Sequence, residues 1–158
     1  IWSIDTGIRP SEARGIHKRD IRLDDQLGWV VDVKSVKDTA GTTLPRTLPL
    51  TDRAVRAYNK LMGDAVYPFA KFTKPVIRKN WDWVRAATGH THEADKEFVF
   101  YLTRHTYASR MVQQGINLAI VQKWMGHKTI QTTLIYAKLI PTNLLDAREA
   151  LNSINEFH

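Results

Sequence analysis

The sequence predicts an α+β fold, mostly helical, with one small antiparallel sheet. Three observations carry that expectation. Apolar residues recur at helical spacing over much of the chain, in stretches opened by polar caps and closed by glycines. One β-branched run, Trp29 to Val36, is followed by a turn and a short return segment. The 158 residues contain no internal repeat, low-complexity tract or long linker, and so fit one domain.

In chain order, Pro10, Ser11, Glu12 and Ala13 suit a short helix over residues 10–16. Proline is tolerated at a first helical position, where its missing N–H would be unpaired anyway. Asp24-Asp25 reads as a solvated turn. Residues 29–36 read as a strand, Lys37 to Gly41 as a turn, and Arg46 to Leu50 as the return strand. Pro49 demands that this strand lie at an edge, because it cannot donate to a ladder on both sides. Thr51 then caps a helix whose apolar face is Ala54, Val55, Tyr58, Leu61 and Met62, ended by Gly63. Another helix spans about 74–88, with Pro75 in its first turn and Gly89 beyond its end. His90 to Glu97 is a polar loop. In the last third, a helix over about 103–114 stops at Gly115. Asn117 caps a second that stops at Gly126, and Thr129 caps a third carrying Ile130, Leu134 and Tyr136. Pro141 breaks the pattern before a final amphipathic helix, about 143–152.

Composition narrows the function. Lys and Arg outnumber Asp and Glu by 23 to 16, a net charge of +7 that favours a polyanionic partner. The basic residues are scattered, which suits a folded face better than a disordered arm. There are no cysteines, which removes disulfides, thiolate nucleophiles and thiolate-bound zinc. No run approaches the roughly 18 apolar residues of a membrane span, and no membrane partner is expected. The chain begins Ile1-Trp2-Ser3, without methionine, as a fragment of a longer protein would.

Phosphodiester transfer needs a nucleophile, positive charge around the phosphoryl oxygens and a proton for the leaving oxygen. The charge is often supplied by Mg²⁺ held in a carboxylate cluster, and no such cluster is evident. His90 and His92 form an isolated HxH in the polar loop, weak grounds for a zinc site. Arginine is the alternative source of charge, since a guanidinium is always protonated and grips phosphate with paired donors.

Three segments supply those groups in order: Thr6-Gly7-Ile8-Arg9-Pro10-Ser11-Glu12, Tyr101-Leu102-Thr103-Arg104-His105-Thr106, and Met125-Gly126-His127-Lys128 running on to Tyr136. Together they resemble the tyrosine recombinase (phage integrase) family, with its TGxRxxE, HxxRHT and LGHxxxxxTxxxY motifs. Each motif alone is weak; the agreement of residue type, order and the nine-position step from His127 to Tyr136 (136 − 127) is specific.

The resemblance implies a tyrosine-recombinase catalytic fold across residues 1–158, a single catalytic domain whose N-terminal DNA-binding companion is missing. Tyr136 would attack the scissile phosphate to give a 3′-phosphotyrosyl link and a free 5′-hydroxyl, with neither metal nor cofactor. Arg9 and Arg104 would clamp the phosphate. Glu12 would either buttress Arg9 or be a helix-face charge. His127 would be a third, cationic or hydrogen-bonding, ligand of the phosphate, a cap between two helices, or both. Lys37, in the turn region, would protonate the leaving oxygen, with Lys34 as rival. His105, about 100° from Arg104 on a helix, would be structural. Tyr101 departs from the family by replacing histidine; it would hydrogen-bond the phosphate or merely pack beside Phe98 and Phe100. Tyr136 would need activation, since only about one phenol in a thousand is ionised at pH 7, and two nearby arginines would favour the phenolate.

The implied partners are double-stranded DNA and further copies of the chain, a tetramer on DNA and a monomer in isolation, in the cytoplasm. The final helix would dock on a neighbouring copy or on its own domain. Three other readings compete: a helix-turn-helix module over 117–136, a type IB topoisomerase, and a catalytically dead accessory paralogue, against which the intact arginines and Tyr136 speak.

Overall fold

The computed structural model describes residues 1–34, 37–38, 41–42, 45–141 and 148–149. The elements are α1 (Trp2–Thr6), α2 (Pro10–Arg14), β1 (Ile21–Asp24), β2 (Gly28–Val33), β3 (Lys37–Asp38), β4 (Gly41–Thr42), β5 (Arg46–Pro49), α3 (Asp52–Met62), α4 (Lys74–Ala87), α5 (Leu102–Gln113), α6 (Leu118–Met125) and α7 (Gln131–Leu134). Single 3₁₀ turns follow at Lys18–Asp20 and Ala137–Leu139. The fold is α+β and mostly helical, as expected.

The main sheet is antiparallel, in the order β1-β2-β5, and Val30 lies opposite Pro49. The proline therefore sits on an edge strand, where its missing donor faces no partner strand. Strand β1 was not foreseen: Ile21 to Asp24 is too short and too polar to announce itself. Strand β2 ends at Val33, before the expected Val36, and Ser35 and Val36 lie outside the described residues. The expected turn after it contains a two-residue hairpin, with Lys37 opposite Thr42.

Thr51 caps α3 by accepting from the Ala54 N–H at 3.1 Å, and Asn117 caps α6 by accepting from the Ala119 N–H at 2.8 Å. Each satisfies an N–H that the first turn leaves without a partner. Thr129 does not cap α7: Ile130 holds that position, and the Thr129 hydroxyl meets Thr132 instead. Tyr136 consequently lies beyond α7, at the head of the last 3₁₀ turn. Of the expected final helix, only Arg148 and Glu149 are described, and both are helical.

Apolar burial forms two clusters. Trp2, Ile8, Ile16, Val31, Val33, Leu48, Ala54, Tyr58 and Phe69 join α1, the sheet and α3. Tyr107, Ala108, Met111, Val112, Val121, Met125 and Tyr136 join α5, α6 and the C-terminal turns, with Trp124 packed against both clusters. Among the described residues no helix is long and apolar enough to cross a membrane.

Candidate active site

The site forms where the two clusters meet. Gly7 ends α1 in the left-handed conformation, φ 62°, which L side chains rarely adopt. A Cβ there would lie 2.3 Å from the Tyr107 ring, so only glycine lets this turn lean on α5. The turn delivers Arg9 and exposes the Gly7 carbonyl to Arg104. Arg104, 2% exposed, donates from Nη1 to the Gly7 carbonyl and from Nη2 to the Met125 carbonyl. Its Nε is buried without a partner among the described residues. Arg9 Nη1 reaches the same Met125 carbonyl at 3.4 Å, so the two guanidinium groups converge at the end of α6. Burial, then the charge of Arg9, lowers the Arg104 pKa to about 10, which leaves it protonated near neutrality.

Glu12 is fully buried, and Arg46 grips it with two parallel hydrogen bonds of 2.9 Å. Its Oε1 also accepts from Arg9 Nη1 at 3.3 Å, and its Oε2 from the Arg9 N–H at 2.9 Å. Burial alone would raise the Glu12 pKa, but Arg46 chiefly, with Arg9, holds it below the usual value. Of the two expectations for Glu12, buttress or exposed helix charge, the geometry fits the buttress. Arg46 was missed. Its one signal in the sequence was a charge two positions before Leu48, on the inward face of a strand. Arg46 Nε donates to the Trp124 carbonyl at 2.8 Å, tying β5 to α6.

Gly126 closes α6 at φ 62° and presents His127. The His127 Nδ1 lies 2.9 Å from the hydroxyl of Thr133, which is wholly buried. Burial first, then Arg104, Arg9 and Arg46, lowers the His127 pKa to about 4. Near neutral pH this residue is an uncharged hydrogen-bonding group, not a third cation. The sequence alone left both open.

The Tyr136 hydroxyl lies 2.7 Å from His105 Nδ1. His105, expected as a structural residue, thus stands against the hydroxyl of the candidate nucleophile. Its neighbour Arg104 reaches across to Gly7 and Met125, while the 3₁₀ turn brings Tyr136 to the other flank of α5. Tyr101 is half-exposed at the start of α5, and its ring meets the His105 ring edge-on at 5.3 Å. It does not share the aromatic stack of Phe98 and Phe100, which gather on Trp81. The Tyr136 pKa is raised: burial dominates, and Arg104 offsets it only in part. Tyr136 therefore rests as the phenol, with Arg104 favouring the phenolate as expected but outweighed by burial.

Other candidates fall elsewhere. The backbone of Lys37 is in β3, and its side chain lies outside the described residues. Lys34 pairs with Asp20 at 3.0 Å. His90 stacks on Phe98 and pairs with Asp95, whereas His92 pairs with Asp82, so the two histidines do not converge. Asp24 binds Arg22.

Comparison with known proteins agrees with the fold and motifs. The phage integrase family profile matches residues 2–142. A probable integrase/recombinase protein of Methanocaldococcus jannaschii is 29% identical over 144 residues, covering 87% of this chain and 43% of that protein. Tyrosine recombinase XerA of Pyrococcus furiosus is 27% identical over 150 residues, 93% of this chain and 51% of the relative. The chain thus spans about half the length of the curated relatives it matches. Among solved structures, the catalytic domain of bacteriophage HP1 integrase superposes with a TM-score of 0.67, at 21% identity, over 93% of this chain and 76% of that one. The Tn1549 transposon integrase, solved with circular intermediate DNA, gives 0.66 at 19% identity, over 98% and 58%.

Proposed function

Because this chain belongs to the phage integrase family, we propose that it is the catalytic domain of a site-specific tyrosine recombinase that cuts and rejoins DNA strands through Tyr136. The observation that carries the reading is the convergence of Arg9, Arg104, His127 and Tyr136 from three distant segments onto the end of α6 and the flank of α5. Surface charges have no reason to meet in this way.

In this reading Arg9 and Arg104 hold the non-bridging oxygens of the scissile phosphate and stabilise the charge that builds there. The Glu12–Arg46 pair keeps Arg9 in place, which is the preorganisation such charge stabilisation needs. Neutral His127, oriented by Thr133, donates a hydrogen bond to the phosphate. Tyr136 attacks phosphorus, the 3′-phosphotyrosyl link preserves the bond energy, and the 5′ oxygen leaves with a proton from Lys37. The reverse attack by a 5′-hydroxyl reseals the strand without ATP. Double-stranded DNA is the substrate, and four copies assemble on paired sites.

A nicked suicide half-site tests this directly. The chain forms a covalent DNA–protein adduct, and Tyr136→Phe forms none, because the variant lacks only the attacking oxygen. Adduct on the phenylalanine variant would overturn the assignment.

A further inference from the structure

Resting on Tyr136 as the nucleophile, we propose that His105 is a catalytic residue that takes the phenol proton, with Tyr101 as the positioning residue that holds its ring. Burial keeps Tyr136 protonated at rest, so attack on phosphorus requires a proton acceptor at its oxygen. Five other groups cluster here among the described residues, and each is unsuited. Arg9 and Arg104 are cations with no acceptor atom. Glu12 is committed to Arg46 and to the Arg9 backbone, and it is held ionised as a weak base. His127 has its Nδ1 on Thr133 and is a poor base, with its pKa lowered to about 4. Tyr101 is itself a phenol.

Among the described residues, His105 alone brings a ring nitrogen into contact, Nδ1 at 2.7 Å from Oη. The step requires the neutral ring with its proton on Nε2, so that Nδ1 accepts from the phenol. As Oη forms its bond to phosphorus, its proton passes to Nδ1. The bond from phosphorus to the 5′ oxygen breaks, its electron pair leaves on that oxygen, and the Lys37 ammonium of the reading above protonates it. Resealing runs in reverse, with the His105 imidazolium returning the proton to the departing Tyr136. Tyr101 and His105 are four positions apart on α5 and so share a face, which is why their rings meet edge-on at 5.3 Å.

The test uses the whole chain on the nicked half-site. His105→Ala lowers the rate of adduct formation about 10²-fold or more, the usual scale of a lost general base. Added imidazole restores at least about tenfold of that loss, in proportion to the free-base form of the imidazole across pH. His105→Asn retains a hydrogen-bonding side chain but no basic nitrogen, and it stays as slow as the alanine variant. The proposal is overturned by undiminished rates in His105→Ala, by recovery in His105→Asn, or by no response to imidazole. Failure of the wild-type chain to form adduct would instead overturn the underlying reading of Tyr136.

Discussion

Glu12 shows how a single residue can depend on its surroundings. A buried carboxylate is costly unless its oxygens are matched by charge and hydrogen bonds, and stripping away its partner costs about 3–5 kcal/mol. Here Arg46 supplies the match, and Arg9 inherits a fixed anchor. His127 is held the opposite way, neutral among three guanidinium groups. Its folded pKa of about 4 lies below the ordinary 6.5, so the folded state resists protonation more than the unfolded chain does. The stability this confers is fully present above pH 6.5 and is lost as the pH falls through about 4, up to about 3 kcal/mol in all. Urea unfolding across that window should be steeper in pH for the wild type than for His127→Gln. Parallel curves would mean that His127 titrates normally.

At the level of elements, helix ends do most of the positioning. α1 and α6 both finish in left-handed glycines, and both offer a terminal carbonyl region to an arginine. Gly126 is doubly constrained: a Cβ would strain the backbone at φ 62° and lie 2.8 Å from Arg46 Nη1. Gly126→Ala should therefore lower stability by about 2 kcal/mol, from the left-handed strain plus displacement of Arg46, read as an earlier denaturation midpoint. A loss of under about 0.5 kcal/mol, the scale of a neutral surface substitution, would show that α6 re-seats without cost. Helix α5 carries the site on two flanks. Arg104 turns inward to the α1–α6 junction, while Tyr101 and His105 share the flank that faces Tyr136.

Across the whole molecule, the two apolar clusters are joined by Trp124 and by the same arginines that form the site. Arg104 links the Gly7 and Met125 carbonyls, and Arg46 links Glu12 to the Trp124 carbonyl. The geometry of the candidate site and the packing of one half on the other are thus a single property. The charge of +7 acts at this scale too. Binding of a duplex site should weaken linearly in log K against log salt, since each neutralised phosphate releases counterions. Light scattering should find the chain monomeric alone and tetrameric only with paired sites. Salt-independent binding, or a tetramer without DNA, would contradict the proposed partner and assembly.

The sequence alone carried the helical periods, the caps at Thr51 and Asn117, the glycine stops and the edge placement of Pro49, because those are rules of neighbouring residues. It also carried the three motifs that set this chain in its family. The partnerships inside the site were legible only after folding. Arg46 meets Glu12 across 34 positions and His105 meets Tyr136 across 31, because the closing of β5 and the last 3₁₀ turn against distant helices puts them there. The charge of His127 and the resting protonation of Tyr136 belong to the same class: the first follows from burial beside arginines that arrive from other segments, the second from burial that Arg104 offsets only in part.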